Sequence, residues 1–309
     1  MPNHPSILLL GAGELGTALL SPLSTLPYTT TLATRSPQKY THLTTTFPSL
    51  SLLALDLTHP SAELIPIFAR YDIIISATGF GASPDTLLKL ANEVIAAGNL
   101  RKVKEKEKLW FFPWQFGVDY DVTGDGEGLM PLFGAQKSVR DLLRSQNSID
   151  WTIVSTGIFM SFLFQDFWGI VARPSHASQE DRVTVRALRD WEHGVTVTDV
   201  DDIGRVMGRI VARDVAARNK VVYVAGETVR YGELADVVEK VTGKVVVREI
   251  CGVKYLDEEV KKDPEDEIKK YRLVFARDGV MWDKAGTVNA QLGMEMMGVE
   301  EYARKVFSA

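Results

Sequence analysis

Apolar residues in the first half of the chain fall into short runs that alternate with stretches of helical period. Ser6–Leu10, Thr30–Thr34, Leu52–Leu55, Asp72–Ala77, Leu109–Pro113 and Trp151–Ser155 read as six strands. The Asp72–Ala77 run is continuous and β-branched at its centre, as in a strand covered on both faces. Between these runs, Gly16–Leu23, Ala62–Ala69, Pro84–Ala97 and Pro131–Gln146 read as helices, with Pro84 in a first turn and Gly98 just past an end. Strand–helix alternation of this kind implies right-handed crossovers and a parallel sheet. The expected fold is α/β, a Rossmann-type doubly wound parallel sheet followed by a smaller C-terminal α/β part.

Beyond residue 156 the pattern loosens. Gly194–Val197 and Val221–Val224 read as short strands around a helix at Ile203–Ala212, and Tyr231–Thr242 reads as an amphipathic helix. Lys254–Tyr271 is highly charged and reads as an exposed helix or loop. The expected division is residues 1–156 as a nucleotide-binding domain and 157–309 as a substrate-binding part. Segments around 194–226 are expected to return and pack on the main sheet.

Composition excludes several classes. The 309 residues are 45% hydrophobic and 24% charged, which suits a globular core, and the formal net charge is -5. A net acidic chain lacks the basic surface of a general nucleic-acid or anionic-membrane binder. The most apolar long stretch, Trp151–Ala172, is interrupted by Gln165 and Asp166, so no membrane span is expected. Met1–Ser6 carries no Lys or Arg and does not resemble a signal peptide. The single cysteine, Cys251, excludes an internal disulfide and reads as a buried small hydrophobe. A cytoplasmic monomer or homodimer is the expectation.

The strongest chemical signal is Gly11-Ala12-Gly13-Glu14-Leu15-Gly16, directly after an apolar strand and opening a helix. Gly11 permits the tight turn, Gly13 lets backbone approach a pyrophosphate, and Gly16 allows close helix–strand packing. The helix N-terminus offers N–H groups and a positive dipole end. The Glu14 carboxylate repels phosphate unless it points to solvent, leaving its backbone and that of Leu15 as donors. At the end of the second strand, where NAD-type sites carry an acid, the chain reads Thr34-Arg35-Ser36-Pro37-Gln38-Lys39. Arg35, backed by Lys39, suits the 2′-phosphate of NADP(H), since a guanidinium fork matches phosphate geometry. Asp56 either reaches the adenine or caps the next turn. Ala77, Thr78, Gly79 and Phe80 leave strand four with small residues that let a cofactor lie across the strand tips.

Phe133 and Lys137 stand where short-chain dehydrogenases carry Tyr-x-x-x-Lys on one helix face. A phenyl ring cannot donate a proton, so Lys137 alone is left for acid–base work or for the nicotinamide ribose. The competing reading is a solvated stripe of Lys137, Arg140 and Arg144, with Asp141 pairing Lys137. Asp119–Gly126 imitates a calcium loop, but its twelfth position is Met130, so it reads as a flexible, lid-like loop over the cofactor. The five histidines show no zinc spacing, and no metal site is expected.

Together these residues resemble the NmrA-like branch of atypical short-chain dehydrogenases. More narrowly, they are similar to the isoflavone reductase, pinoresinol–lariciresinol reductase and phenylcoumaran benzylic ether reductase group. Phe111-Phe112-Pro113-Trp114-Gln115-Phe116-Gly117-Val118-Asp119 resembles that group's Phe-Leu-Pro-Ser-Glu-Phe-Gly-x-Asp segment, which places Trp114 and Phe116 near the cofactor. Lys137 with the later Asp150–Val154, and Thr198–Gly204, match two further segments. The resemblance implies that Lys137 is the catalytic residue. It also implies an NADPH-dependent reductase passing hydride to a conjugated, carbonyl or imine group of an aromatic or secondary-metabolite substrate. The alternative it implies is a cofactor-sensing regulator with little catalysis. Trp114-Gln115 replace the group's Ser-Glu, and the glycine loop is the shorter Gly-x-Gly-x-x-Gly, so the plant substrates do not carry over. By position Phe159, Met160 and Phe164, with Trp168 and His176 further along, read either as pocket walls for a planar aromatic substrate or as core.

Overall fold

The run Ile7–Leu10 lies in the middle of a sheet, where both faces are covered, and none of its side chains is more than 2% exposed. The computed structural model describes residues 5–79, 83–173 and 182–308. In chain order its strands are β1 Ser6–Leu10, β2 Thr29–Thr34, β3 Leu50–Ala54, β4 Ile73–Ser76, β5 Trp110–Phe112, β6 Asp150–Ser155, β7 Ile158–Phe159, β8 Val171–Ala172, β9 Arg182–Leu188, β10 Gly194–Thr198, β11 Lys220–Tyr223, β12 Glu227–Arg230 and β13 Val245–Cys251. Seven of these form one sheet in the order β11-β6-β5-β4-β1-β2-β3. The pairs β1–β2, β1–β4, β2–β3, β4–β5 and β5–β6 are all parallel. The order reverses at β1: the chain moves outward to β3, then returns past β1 to β4. That reversal opens the crevice at the carboxyl ends where doubly wound sheets take ligands.

The helix after β4 runs Pro84–Val103, through Gly98 rather than ending before it. A Cβ at Gly98 would lie 2.2 Å from Ile149 Cγ2 and 2.9 Å from the Ser148 carbonyl. Glycine therefore serves close packing there, and the cap comes later. Past it, Arg101 is buried and donates to the Tyr71 carbonyl (2.9 Å) and Asp72 Oδ1 (2.7 Å), fastening the helix end to the start of β4. Helix Val200–Val211 packs through Gly204 and Gly208, whose added Cβ atoms would meet the Ala18 carbonyl (2.5 Å) and Pro22 Cβ (2.9 Å) of helix Glu14–Ser24.

The chain makes two compact units of similar length, Met1–Phe116 with Gly134–Val154 and Ile203–Val222, and Gly117–Phe133 with Ser155–Asp202 and Tyr223–Ala309. A single break at 156 with a smaller second part therefore understates the exchange of segments. Of the two strands expected to return, β11 joins the main sheet, but β10 does not. β10 sits between β12 and β7 in a three-stranded sheet, since Gly194 lets the Val229 carbonyl approach to 2.4 Å of where a Cβ would stand. A third sheet, β13-β9-β8, went unread because β9 and β13 carry charges along their exposed positions. The charged Lys254–Tyr271 stretch becomes two helices, Val253–Lys262 and Glu267–Phe275, with Asp266 capping the second. Among the described residues no helix is long and apolar enough to cross a membrane.

Candidate functional site

The glycine turn fits its strand–helix corner tightly on two sides and is open on the third. Gly11 adopts φ +101°, and a Cβ there would lie 2.5 Å from the Ala77 carbonyl. A Cβ on Gly16 would lie 2.2 Å from the Gly11 carbonyl, so the helix can approach the turn only as glycine. At Gly13 nothing stands within 4 Å of an added Cβ. Gly13 is also the N-cap of Glu14–Ser24, and no side chain caps that helix. Its first N–H groups and its dipole are therefore available to an anion. Glu14 is exposed, on the solvent side of the first turn, while Leu15 is buried in the core and offers only its backbone.

Beside this turn lies a groove of about 380 Å³. Gly11 and Ala12 form one wall; Thr34, Arg35, Ser36, Lys39 and Tyr40 come from the end of β2, and Asp56, Leu57 and Thr58 from the end of β3. Thr78 and Thr86 complete it. Arg35 and Lys39 are both exposed, and neither has a carboxylate in ion-pair range among the described residues. Asp56, the one acid in the lining, is already engaged: Oδ1 accepts from the Thr58 N–H (2.9 Å) and hydroxyl (2.8 Å). These bonds, backbone first, hold its carboxyl below the usual 3.8. Of the two readings of Asp56, the structure shows the turn cap. Open backbone donors on one wall and unpaired cations on the other suit a phosphorylated dinucleotide.

Ala77 is buried, and Gly79 carries φ +73° with open space where its Cβ would be. Phe80 and His176 lie outside the described residues. Trp114 and Phe116 are buried and do not line the groove. Sequence reasoning missed Ser36, Tyr40, Thr58 and Thr86. Ser36-Pro37 was a readable signal for the single helical turn Pro37–Tyr40, which turns Lys39 and Tyr40 toward Arg35.

Lys137 lies on helix Pro131–Arg144, half exposed, with its ammonium 2.7 Å from Asp141 Oδ2. It is not part of the groove lining. Arg140 overturns the solvated stripe: it is fully buried, and its Nε donates to Gln115 Oε1 at 2.8 Å. Gln115 Nε2 in turn donates to the Gln136 carbonyl at 2.6 Å, which ties the loop after β5 to this helix. Phe133 packs edge-on to Tyr120 and Tyr271 in the core of its own unit.

The aromatic run after β6 resolves mostly into core. Met160, Phe164 and Trp168 are at most 3% exposed, so the pocket-wall reading of these three is corrected. The 3-10 turn Met160–Phe164 rolls Met160 and Phe164 inward, and Phe164 stacks on Tyr302; beyond the turn, Trp168 meets Tyr271 and Phe275 edge-on. Phe159 stays half-exposed, in contact with Phe162, which meets the 50%-exposed Phe167. The segment Asp119–Gly126 is not a loose lid. Asp119 caps the turn Tyr120–Thr123 and accepts from the Tyr223 hydroxyl at 2.8 Å, and its N–H donates to the Gly279 carbonyl. Thr198–Gly204 is likewise structural. Thr198 donates to the Thr156 carbonyl, and Asp202 accepts from the Met297 N–H.

Comparison with known proteins agrees with this architecture. The chain is 38% identical to an NmrA-like family domain-containing oxidoreductase of Gibberella moniliformis, over 97% of this chain and 98% of that one. Its fold superposes on an isoflavone reductase crystal structure with TM-score 0.77 at 18% identity, covering 98% of this chain and all of that one. It matches the leucoanthocyanidin reductase–NADPH complex of Vitis vinifera with TM-score 0.75 at 19% identity, covering 98% of this chain and all of that one. The model of the NmrA-like family matches residues 4–303, and the chain belongs to that family.

Proposed function

We propose that this chain is an NADPH-dependent reductase acting on a conjugated, carbonyl or imine group of an aromatic substrate. One observation carries the reading. An open glycine turn at an uncapped helix N-terminus faces a groove whose far side presents unpaired Arg35 and Lys39. In this reading the N–H groups after Gly13 hold the pyrophosphate, and Arg35 and Lys39 hold the 2′-phosphate. The small residues Thr78 and Gly79 leave room across the strand tips. Bound NADPH supplies the hydride. The names of the Gibberella relative and of the NADPH complex in Vitis support the class.

Lys137 is assigned the proton-donating or ribose-orienting role. Its exposed ammonium must exchange Asp141 for that partner, a small cost for a surface i, i+4 pair. Phe159, with Phe162 beside it, offers ring faces for an aromatic substrate. The test is NADPH oxidation with a panel of isoflavones, aromatic enones and quinones. For Lys137→Ala, turnover is expected to fall at least ~100-fold with NADPH affinity retained. Unchanged turnover removes Lys137 from the chemistry.

A second reading, an NADPH-sensing regulator, is favoured by Phe133, which sits in the core and has no proton to give. NADPH binding without oxidation across the panel, together with NADPH-dependent capture of a partner protein, selects that reading.

A further inference from the structure

Most lysines of this chain engage a carboxylate or carbonyl oxygen. Among the described residues those whose ammonium has no such partner are Lys39, Lys102, Lys104, Lys106, Lys108, Lys220 and Lys254. Lys39 lines the nucleotide groove. Lys102, Lys106, Lys108 and Lys220 line two grooves elsewhere, where Lys108 precedes β5 and Lys220 begins the edge strand β11.

The two grooves adjoin. The larger, about 600 Å³, is lined by Lys108, Arg144 and Lys220 with Asn147, Asn219 and Trp151. The smaller, about 220 Å³, is lined by Lys102, Lys106 and Lys108, and again by Asn147. No carboxylate lines either groove, although the chain carries a net charge of -5. Of the nearby acids, Asp150 pairs with Arg218 and Asn219, Asp72 with Arg101, and Asp141 with Lys137 and, at 3.7 Å, with Arg144. Glu105 and Glu107 alternate with the lysines in sequence, but they line neither groove and form no ion pair among the described residues. Helix dipoles account for part of the pattern, since Lys102 and Arg144 close the last turns of their helices. They do not account for Lys106, Lys108 or Lys220, which lie in a loop or at strand starts. Lys102, Lys106, Lys108 and Lys220, which have no carboxylate in ion-pair range among the described residues, repel one another, and a bound anion relieves that cost.

We propose that this double groove is a second anion site, distinct from the nucleotide groove, for a small ligand carrying linked phosphates. Lys108 and Asn147 belong to both grooves, so a phosphate chain crossing that junction meets cations on either side. The volumes suit a small molecule.

The test is calorimetric titration of the full chain with tripolyphosphate, comparing wild type, Lys108→Gln/Lys220→Gln and Arg35→Ala. Both substituted lysines are exposed, so the double variant keeps the fold and its NADPH binding. Saturable binding is expected in wild type and in Arg35→Ala, at least ~10-fold weaker in the double lysine variant and weakening as salt is raised. Binding lost in Arg35→Ala but kept in the lysine variant places the anion in the nucleotide groove and overturns the proposal. So does no saturation by about 10 mM, a concentration beyond which affinity is negligible. Tighter binding of polyglutamate than of tripolyphosphate overturns the phosphate assignment in favour of an acidic polypeptide.

Discussion

Alanine at each of the three loop glycines separates folding from binding, because each missing Cβ faces something different. At Gly13 the backbone is extended, with φ -74° and ψ -168°, and nothing stands within 4 Å of the new methyl. Alanine there lowers the entropy of the unfolded chain but is a poorer N-cap than glycine. The two effects oppose, and the net change in stability is within about 0.5 kcal/mol. The methyl does occupy the space through which a pyrophosphate approaches the helix N-terminus, and NADPH affinity is expected to fall at least ~10-fold, about 1.4 kcal/mol. At Gly16 the methyl would lie 2.2 Å from the Gly11 carbonyl oxygen and 2.9 Å from its carbon. Backbone cannot step aside as a side-chain tip can, so Gly16→Ala is expected to cost about 2–3 kcal/mol of stability. Gly11→Ala adds a positive-φ penalty of about 1–2 kcal/mol to its 2.5 Å approach to the Ala77 carbonyl and is the most damaging of the three. Urea denaturation and calorimetric NADPH titration on the same preparations read both quantities. The reasoning is refuted if Gly13→Ala binds NADPH as wild type does, or if it unfolds as readily as Gly16→Ala.

Arg35→Ala is expected to weaken NADPH binding about tenfold and leave NADH binding unchanged, the low end for a charge-assisted bond because Arg35 is exposed and Lys39 remains. Equal loss for both nucleotides would falsify the 2′-phosphate assignment. Arg140→Met removes the donor to buried Gln115 Oε1 and is expected to lower stability by about 2–3 kcal/mol, read as a shift of the urea midpoint at constant slope. At Asp72, burial raises the carboxyl pKa, but bonds from the Ser6 N–H and hydroxyl and from Arg101 outweigh it and hold it below 3.8. A depressed folded pKa means stability that is present above about pH 4 and lost as pH falls further. Asp72→Asn should therefore flatten the acid limb of a stability–pH profile below pH 4, and an unchanged limb shows that Asp72 does not contribute to it.

The parallel sheet was legible because its strands are apolar runs bounded by turn residues, and β1 and helix Tyr231–Thr242 stand where their patterns put them. The glycine turn was legible for the same reason: a strand before it and a helix after it give Gly-x-Gly-x-x-Gly a definite geometry. Arg35 and Lys39 could be placed because they follow β2 directly. What failed depended on tertiary partners. Gly98 looks like a helix stop until Ile149 and Ser148 are packed against it. Arg140 looks like one more surface cation until Gln115 arrives from a distant loop. The run Phe159–Phe164 has no periodicity that separates inward from outward rings, and only the 3-10 turn decides that Met160 and Phe164 go in while Phe159 and Phe162 stay at the surface. β10 carries a strand pattern, but the pattern does not say which sheet it joins.

The interleaving of the two units bears on how the protein is made. β6 is buried along its whole length, with β5 on one side and β11 on the other. Its bonds to that neighbour segment include the Asn219 N–H to the Trp151 carbonyl and the Thr152 hydroxyl to the Ala217 carbonyl. During synthesis β6 leaves the ribosome well before residues 217–223, and Ser155–Asp202 of the other unit emerges in the interval. Over that interval the nascent sheet ends in an uncovered apolar strand, the kind of edge that recruits other chains. A fragment cut at residue 156 would keep that edge permanently. Its expected fate is aggregation through that edge, rather than life as a minimal nucleotide-binding domain.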